Sequence, residues 1–349
     1  MEESIKLAKW RDLNLDYLKA FAIILVVIGH CMQDGLGKPN DGIFDNWLMK
    51  FIYSFHMPLF MMISGYLFGF SVKNHSFKDN LLGKLKSLLV PIAIWSIPVT
   101  FIDIIKYSPE RLNPWDFIKT YLNEFIGQFW FLWAVLLCSV VVLIVNRFLK
   151  DSIIVYIIIF ILTFIIPNII MVDELYRFMF PLFVLAYFIS KHNFLTDLSK
   201  QKIYAITLIS LFGFIGLLLF YNRESYIYMS GHSLLNKQDW LHHLFVDIYR
   251  IVIGIAGSAF FWGFFSIISK YIKGFLSKVL MCLGTNTMGI YIISWFFSVY
   301  LLPEVVKEYI GLNYGVVLLE TILTLALCLI LVFLIKKVKF LDKLLLGGR

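Results

Sequence analysis

The sequence predicts an all-α integral membrane protein of about ten transmembrane helices, with the N- and C-termini both cytoplasmic. Three observations carry that reading. The 349 residues are 60% hydrophobic and only 15% charged, with a mean hydropathy of +0.81, whereas soluble domains are roughly 45–50% apolar and about 25% charged. Apolar runs recur along the whole chain, and most reach the ~20 residues that cross a bilayer core. Lysine and arginine are unequally shared between alternate loops, as membrane topology demands.

The runs lie at 14–34, 50–71, 85–105, 125–147, 152–171, 175–190, 203–221, 246–269, 277–301 and 314–336. The first follows a charged, Trp-containing segment (Lys6 to Asp12) with no small-residue cleavage site behind it, so it reads as a helix and not a cleaved signal. In the second, Pro58 follows His56-Met and is expected in the first turn of an apolar helix, where proline is tolerated. The fourth is entered through Gln128-Phe-Trp130-Phe-Leu-Trp133. The sixth is the shortest and carries Pro181. Thr285-Asn286-Thr287 and Tyr291 stand at the start of the ninth. The longest outer loops are 106–124 and 222–245. No long linker, low-complexity tract or internal repeat interrupts the pattern, and a single domain over 1–349 is the economical reading.

With ten spans and the N-terminus inside, the inner segments hold 20 of the 31 basic residues and the outer segments ten, while Lys19 lies within the first span. Positive charge on the inner side fixes both ends as cytoplasmic. The net charge of +8 therefore belongs to topology, and nucleic acid is not an expected partner. The four cysteines (Cys31, Cys138, Cys282, Cys328) are scattered and have no metal-binding spacing, so they read as buried apolar thiols.

Ionisable residues inside apolar runs are expensive, and they mark candidate function. The first run contains Asp16, Lys19 and, eleven residues after Lys19, His30. At about 1.5 Å per residue Lys19 and His30 stand roughly 16 Å apart on one helix, too far to pair directly. In this topology Asp16 and Lys19 lie near the inner end and His30 near the outer end. His30 could take a proton from a hydroxyl, or cap a helix end at the interface. His56 falls at a similar depth on the second run and could converge with His30. Ser64-Gly65 reads first as a small-residue packing site. Trp130 belongs to an aromatic belt or to a site. Arg177 either orients an anionic group or snorkels to the interface. His232, His242, His243 and Asp239 share an outer loop and form either a binding cluster or a solvated loop. The basic segment from Lys73 to Lys86, with Lys84 and Lys86, could meet the phosphates of a nucleotide-like donor, or simply follow the positive-inside bias. No metal site is expected.

Taken in order, Lys19-x10-His30, Phe-His56-Met-Pro-Leu-Phe-x-x-x-Ser64-Gly65-Tyr-Leu, Lys84-Leu-Lys86-Ser-Leu-Leu-Val-Pro91, Phe-Trp130-Phe-Leu and Leu283-Gly284-Thr-Asn-Thr-Met-Gly-Ile-Tyr291 resemble the acyltransferase 3 family over nearly the whole chain. The similarity is to the branch of fucose 4-O-acetylases and intercellular-adhesin acyltransferases. The resemblance implies a multi-pass protein of the bacterial plasma membrane that moves an acyl group, usually acetyl from acetyl-CoA, to a hydroxyl of a surface or secreted glycan or a lipid-linked sugar. Polysaccharide synthesis machinery is a candidate partner. It implies catalytic roles for His30 with Lys19 and Asp16, and matches His56, Ser64 and Gly65 to the second motif. On that reading Lys84 and Lys86 contact the donor, and Ser64, Trp130, Arg177 and Tyr291 are candidates for substrate binding. Ser87 replaces the arginine expected before Leu-Leu-x-Pro, so Lys84 or Lys86 must serve. Ser294 and Trp295 occupy the neighbourhood where the family often has histidine. The rival reading is a transporter or flippase for a glycan intermediate or small solute, which needs no acyl-CoA.

Overall fold

The computed structural model describes residues 12–35, 43–107, 113–165, 173–196, 198–227, 239–301 and 313–348, which are mostly helical and contain no strand. In chain order the helices are α1 Leu13–Gly35, α2 Trp47–Asn74, α3 Phe77–Lys84, α4 Val90–Tyr107, α5 Pro114–Gly127, α6 Trp130–Phe148, α7 Ile153–Ile165, α8 Asp173–Lys191, α9 Lys200–Leu218, α10 Trp240–Ile268, α11 Gly274–Thr285, α12 Thr287–Trp295, α13 Tyr314–Lys336 and α14 Lys339–Leu345. A π-type turn, Leu85–Leu89, runs directly from α3 into α4.

Among the described residues seven helices are long and apolar enough to cross a membrane, with α3 and α4 counted together, and α11 with α12 makes an eighth. The chain is a multi-pass membrane protein. Two of the ten expected runs meet that test less fully. Helix α7 is short, and residues 166–171 of its predicted run lie outside the described residues. Helix α8 carries Asp173, Glu174, Arg177 and Lys191 within its length. The expected ninth span is broken: α11 and α12 meet at a 72° bend. At that bend the Asn286 amide donates to the Cys282 carbonyl at 2.7 Å, capping the end of α11. The expected outer loop 106–124 contains most of α5, which Asn113 caps from its side chain and Pro114 opens.

The chain packs as two units. Unit 1 comprises Met1–Phe60, Leu198–Tyr221 and Ile253–Ile330. Within it α1 lies along α11 and α12. Gly284 permits that approach, because a Cβ there would stand 1.9 Å from the Asp16 carbonyl oxygen. Tyr17 and Ser277 share a 2.7 Å hydrogen bond, and the Asn14 amide donates to the Ser266 hydroxyl at 3.0 Å. In lipid, helices associate by close packing and such bonds more than by the hydrophobic effect. Phe55 stacks on Phe261 at 4.5 Å and Phe21 lies 4.6 Å from Phe261, a core made possible by Gly257, whose Cβ would meet Phe55 at 2.5 Å. Pro58 sits well inside α2, not in a first turn as the sequence suggested. It is accommodated by Gly254 of α10, where a Cβ would fall 2.8 Å from the proline ring. The outward side chains of α9, such as Leu208, Ile209 and Phe212, are exposed, as lipid-facing residues are.

Unit 2 comprises Met61–Asp197, Asn222–Val252 and Leu331–Arg349. Here α6 packs on α8, and α4 on α5 and α14. The later part of α2 meets α8 backbone to backbone: a Cβ on Gly65 would stand 2.2 Å from the Phe183 carbonyl oxygen, and one on Gly69 2.5 Å from Ser190. Lys73 donates to the Ser190 carbonyl at 2.9 Å and to Asn193 at 2.7 Å. The turn between α6 and α7 holds Lys150 and Asp151 at positive φ. Asp151 accepts there from Tyr156 (2.5 Å), Tyr187 (2.6 Å), Asn146 (3.3 Å) and Lys191. Arg250 is buried and donates to the Asp247 carboxylate and the Ser225 carbonyl, each at 3.0 Å, tying the 222–227 turn to α10.

Candidate active site

The first helix places the expected residues as one continuous element. Asp16 is buried in its first turn, and Lys19 one turn later closes an ion pair with it at 2.8 Å. Removing either partner would strand a charge in a nearly dry setting. The pair therefore holds the lysine head at one end of α1.

His30 lies toward the other end of α1. It is half-buried, and its Nδ1 is buried with no hydrogen-bond partner among the described residues. Buried polar atoms are nearly always satisfied, so an orphan of this kind calls for a reason. Gly29 lets Tyr53 of α2 come close, at 3.2 Å from where a Cβ would stand. The Tyr53 hydroxyl accepts from Gln33 of α1 at 2.6 Å, and its ring meets His56 edge-on at 4.9 Å. His56 is buried, and its Nδ1 lies 2.7 Å from the Ile52 carbonyl. A carbonyl only accepts, so Nδ1 carries a proton, and whenever the ring is neutral Nε2 is the acceptor. Tyr53 therefore joins the helix of His30 to the helix of His56. Its signal in the sequence was faint: an aromatic three residues before His56, facing the glycine before His30.

The other candidates are dispersed. Tyr291 is half-buried on α12 of unit 1. Ser64, Lys84, Lys86, Trp130 and Arg177 belong to unit 2. Ser64 is half-buried beside Gly65, whose contact with Phe183 matches the packing reading of that pair. Trp130 opens α6, half-buried and edge-on to Phe131. Arg177 is buried, with its guanidinium 5.4 Å from the Phe164 ring centroid, a cation–π arrangement. Lys84 Nζ lies 4.8 Å from the Phe68 ring centroid, and Lys86 is exposed on the π-turn. His242 and His243 sit in the opening of α10 and not in a loop. His242 meets Glu224 at 2.9 Å, while His232 lies outside the described residues. Among the described residues no group of three or more His, Cys, Asp or Glu is placed to hold a metal ion.

The family model for an acyltransferase domain, that of the acyltransferase 3 family, matches residues 12–336. The chain belongs to the acyltransferase 3 family. Two curated relatives, each named nodulation protein NolL, match part of it. The one from Mesorhizobium japonicum is 33% identical over 144 residues, 41% of this chain and 38% of the relative. The one from Sinorhizobium fredii is 36% identical over 129 residues, 36% of this chain and 34% of the relative. The chain thus matches little more than a third of either relative's length. No solved structure matches.

Proposed function

We propose that this membrane protein is an O-acyltransferase that moves an acyl group, acetyl in the first instance, from acyl-CoA to a hydroxyl of a cell-surface or secreted glycan, as one domain in the bacterial plasma membrane. Membership of the acyltransferase 3 family supports the reaction class. The observation that carries the mechanism is His30, half-buried, with an Nδ1 that has no hydrogen-bond partner among the described residues, on the helix that Tyr53 meets at Gly29.

In this reading His30 removes the proton from the acceptor hydroxyl. The oxygen attacks the thioester carbonyl, the tetrahedral adduct collapses, and the carbon–sulfur bond breaks. Coenzyme A departs as the thiolate and receives the proton from His30. His56, with Nδ1–H held by Ile52, presents an acceptor at Nε2, which suits orienting a neighbouring donor better than stabilising an oxyanion. Lys19, steadied by Asp16, orients the donor from the inner end of α1. Lys84 and Lys86 meet the phosphates of the donor on the side that loop charge assigns to the cytoplasm. Ser64, Trp130, Arg177 and Tyr291 stand as candidates for contact with substrate.

The test is thioester loss from radiolabelled acetyl-CoA by purified protein in proteoliposomes, with and without glycan acceptors. His30→Ala should lower turnover about a hundredfold or more, the usual worth of a general base. Turnover that survives His30→Ala in correctly inserted protein would refute the assignment. Absence of turnover in folded wild type with every donor and acceptor tried would favour a transporter.

A further inference from the structure

The C-terminal segment carries an arrangement that the reaction outlined above does not use. Helix α14 packs against α4, and the Trp95 indole donates to the Leu345 carbonyl at 3.0 Å. Leu346 is buried. Gly347 then turns the chain at a φ of +72°, and the Gly348 N–H returns to the Asp342 carbonyl at 3.0 Å. At Gly347 the chain lies flat on the backbone of the π-turn: a Cβ would fall 2.5 Å from the Ser87 carbonyl oxygen and 2.8 Å from its Cα. Ser87 and Leu88 are buried there, while Lys86 beside them is exposed.

A π-type turn is rare, and it persists where its surroundings hold it. It widens the helix by one residue and so re-aims the side chains within it and next to it. Here Lys84 directly precedes the turn and Lys86 lies within it. Position 87, where the family resemblance expects arginine, is the one the C-terminal segment covers.

We propose that the C-terminal segment Lys339–Gly348 is a strap that fixes the π-turn Leu85–Leu89, so that Lys84 and Lys86 are positioned for the phosphates of the acyl donor. Gly347 and Trp95 are its positioning residues. This rests on the reading of Lys84 and Lys86 as the donor's contacts. Gly347 has two reasons to be glycine: a left-handed backbone and the absence of room for a Cβ.

The experiment compares two donors on full-length protein: acetyl-CoA, and the acetyl thioester of N-acetylcysteamine, which has no phosphates. Bringing the Gly347→Ala contact from 2.5 Å to the 3.4 Å of ordinary packing displaces the turn by about 0.9 Å. KM for acetyl-CoA should rise on the order of tenfold, since a displacement near 1 Å is enough to cost that much. Saturated kcat and the KM for the phosphate-free thioester should stay near wild type. Trp95→Phe keeps the ring but loses the bond to Leu345, and should raise the same KM about threefold. It carries the test if Gly347→Ala does not fold. Gly213→Ala, in open space, should change nothing. Binding of coenzyme A itself, titrated on the same proteins, should weaken in parallel. Equal effects on both donors, or an unchanged acetyl-CoA KM in both variants, would overturn the strap while leaving the acyltransferase reading intact. A wild type that neither turns over nor binds coenzyme A would overturn both.

Discussion

Gly284→Ala tests how unit 1 holds the residues of α1. A Cβ at Gly284 would stand 1.9 Å from the Asp16 carbonyl oxygen and 2.7 Å from its carbonyl carbon. Ordinary contact begins at 3.4 Å, so α1 must withdraw from α11 by about 1.5 Å at that level. Both sides of the clash are backbone, so no side chain can rotate away. Overpacking of this kind costs roughly 1–3 kcal/mol, and the rigidity of both partners puts this case near the upper end. The melting temperature should therefore fall by roughly 5 °C or more. A thiol-reactive dye gives the readout, because Cys31, Cys138 and Cys328 are buried and become labelled as the protein opens. The displaced carbonyl belongs to the residue that pairs with Lys19, so initial rates of acyl transfer should also fall, on the order of tenfold. Gly216→Ala, with nothing within 4 Å, is the control and should melt like wild type. A Gly284→Ala protein that melts within a degree of wild type and transfers acyl groups at the wild-type rate would refute the argument.

Two further predictions concern pH, and they run in opposite directions. Burial pushes the Asp151 carboxyl up, but hydrogen bonds from Lys191, Tyr156, Tyr187 and Asn146 outweigh it and hold the group below its ordinary 3.8. A depressed carboxyl contributes stability that is present above the unfolded value and lost as pH falls through the folded one. Wild type should thus lose stability on acidification below about pH 4, and Asp151→Asn should lack that loss while being about 2 kcal/mol less stable at pH 7, a figure kept modest because Lys191 is one-third exposed; equal melting of both proteins at pH 7 would count against it. Glu124 on α5 is raised to about 6 by burial and then by the Asp103 carboxylate. A raised acid favours the fold at low pH, so stability should decline as pH climbs from about 4.5 to 6 and then level off, and Glu124→Gln should flatten that decline in the same melting series.

What was legible in the sequence is what is local. Apolar runs of bilayer length gave the helices, and the ion pair of Asp16 with Lys19 follows from a three-residue spacing on one helix. The meeting of α1 and α2 at Gly29 and Tyr53 joins two helices that follow one another in the chain. Contacts between distant segments left weaker marks. Gly284 meets Asp16 and Gly347 meets Ser87 across about three quarters of the chain, and a glycine does not name its partner. The same limit hid the Asp151 cluster, whose carboxylate sits in an ordinary-looking turn while its donors come from α6, α7 and α8. Pro58 was misplaced because proline usually opens helices, whereas in a bundle its missing N–H and its bulk are absorbed by a glycine on a neighbouring helix. Thr285-Asn286-Thr287 gave no sign of the bend it marks, where an asparagine that caps the preceding carbonyls lets the chain change direction.

Helix α1 turns that placement into a constraint. It is continuous from Leu13 to Gly35, so the interval between Lys19 and His30 is set by helix geometry alone. Eleven residues make about three turns at 3.6 residues each, which returns His30 to nearly the face that Lys19 occupies, roughly 16 Å along the axis. A break like the one at Asn286 would cost that registry; α1 has none, and its first turn is pinned to α11 at Gly284 while its later part meets Tyr53 at Gly29. Two glycines, each accepting a neighbour where a side chain would stand, therefore fix both ends of one rigid element. The lysine and the histidine cannot be repositioned independently, and any change that shifts α1 as a body must move both.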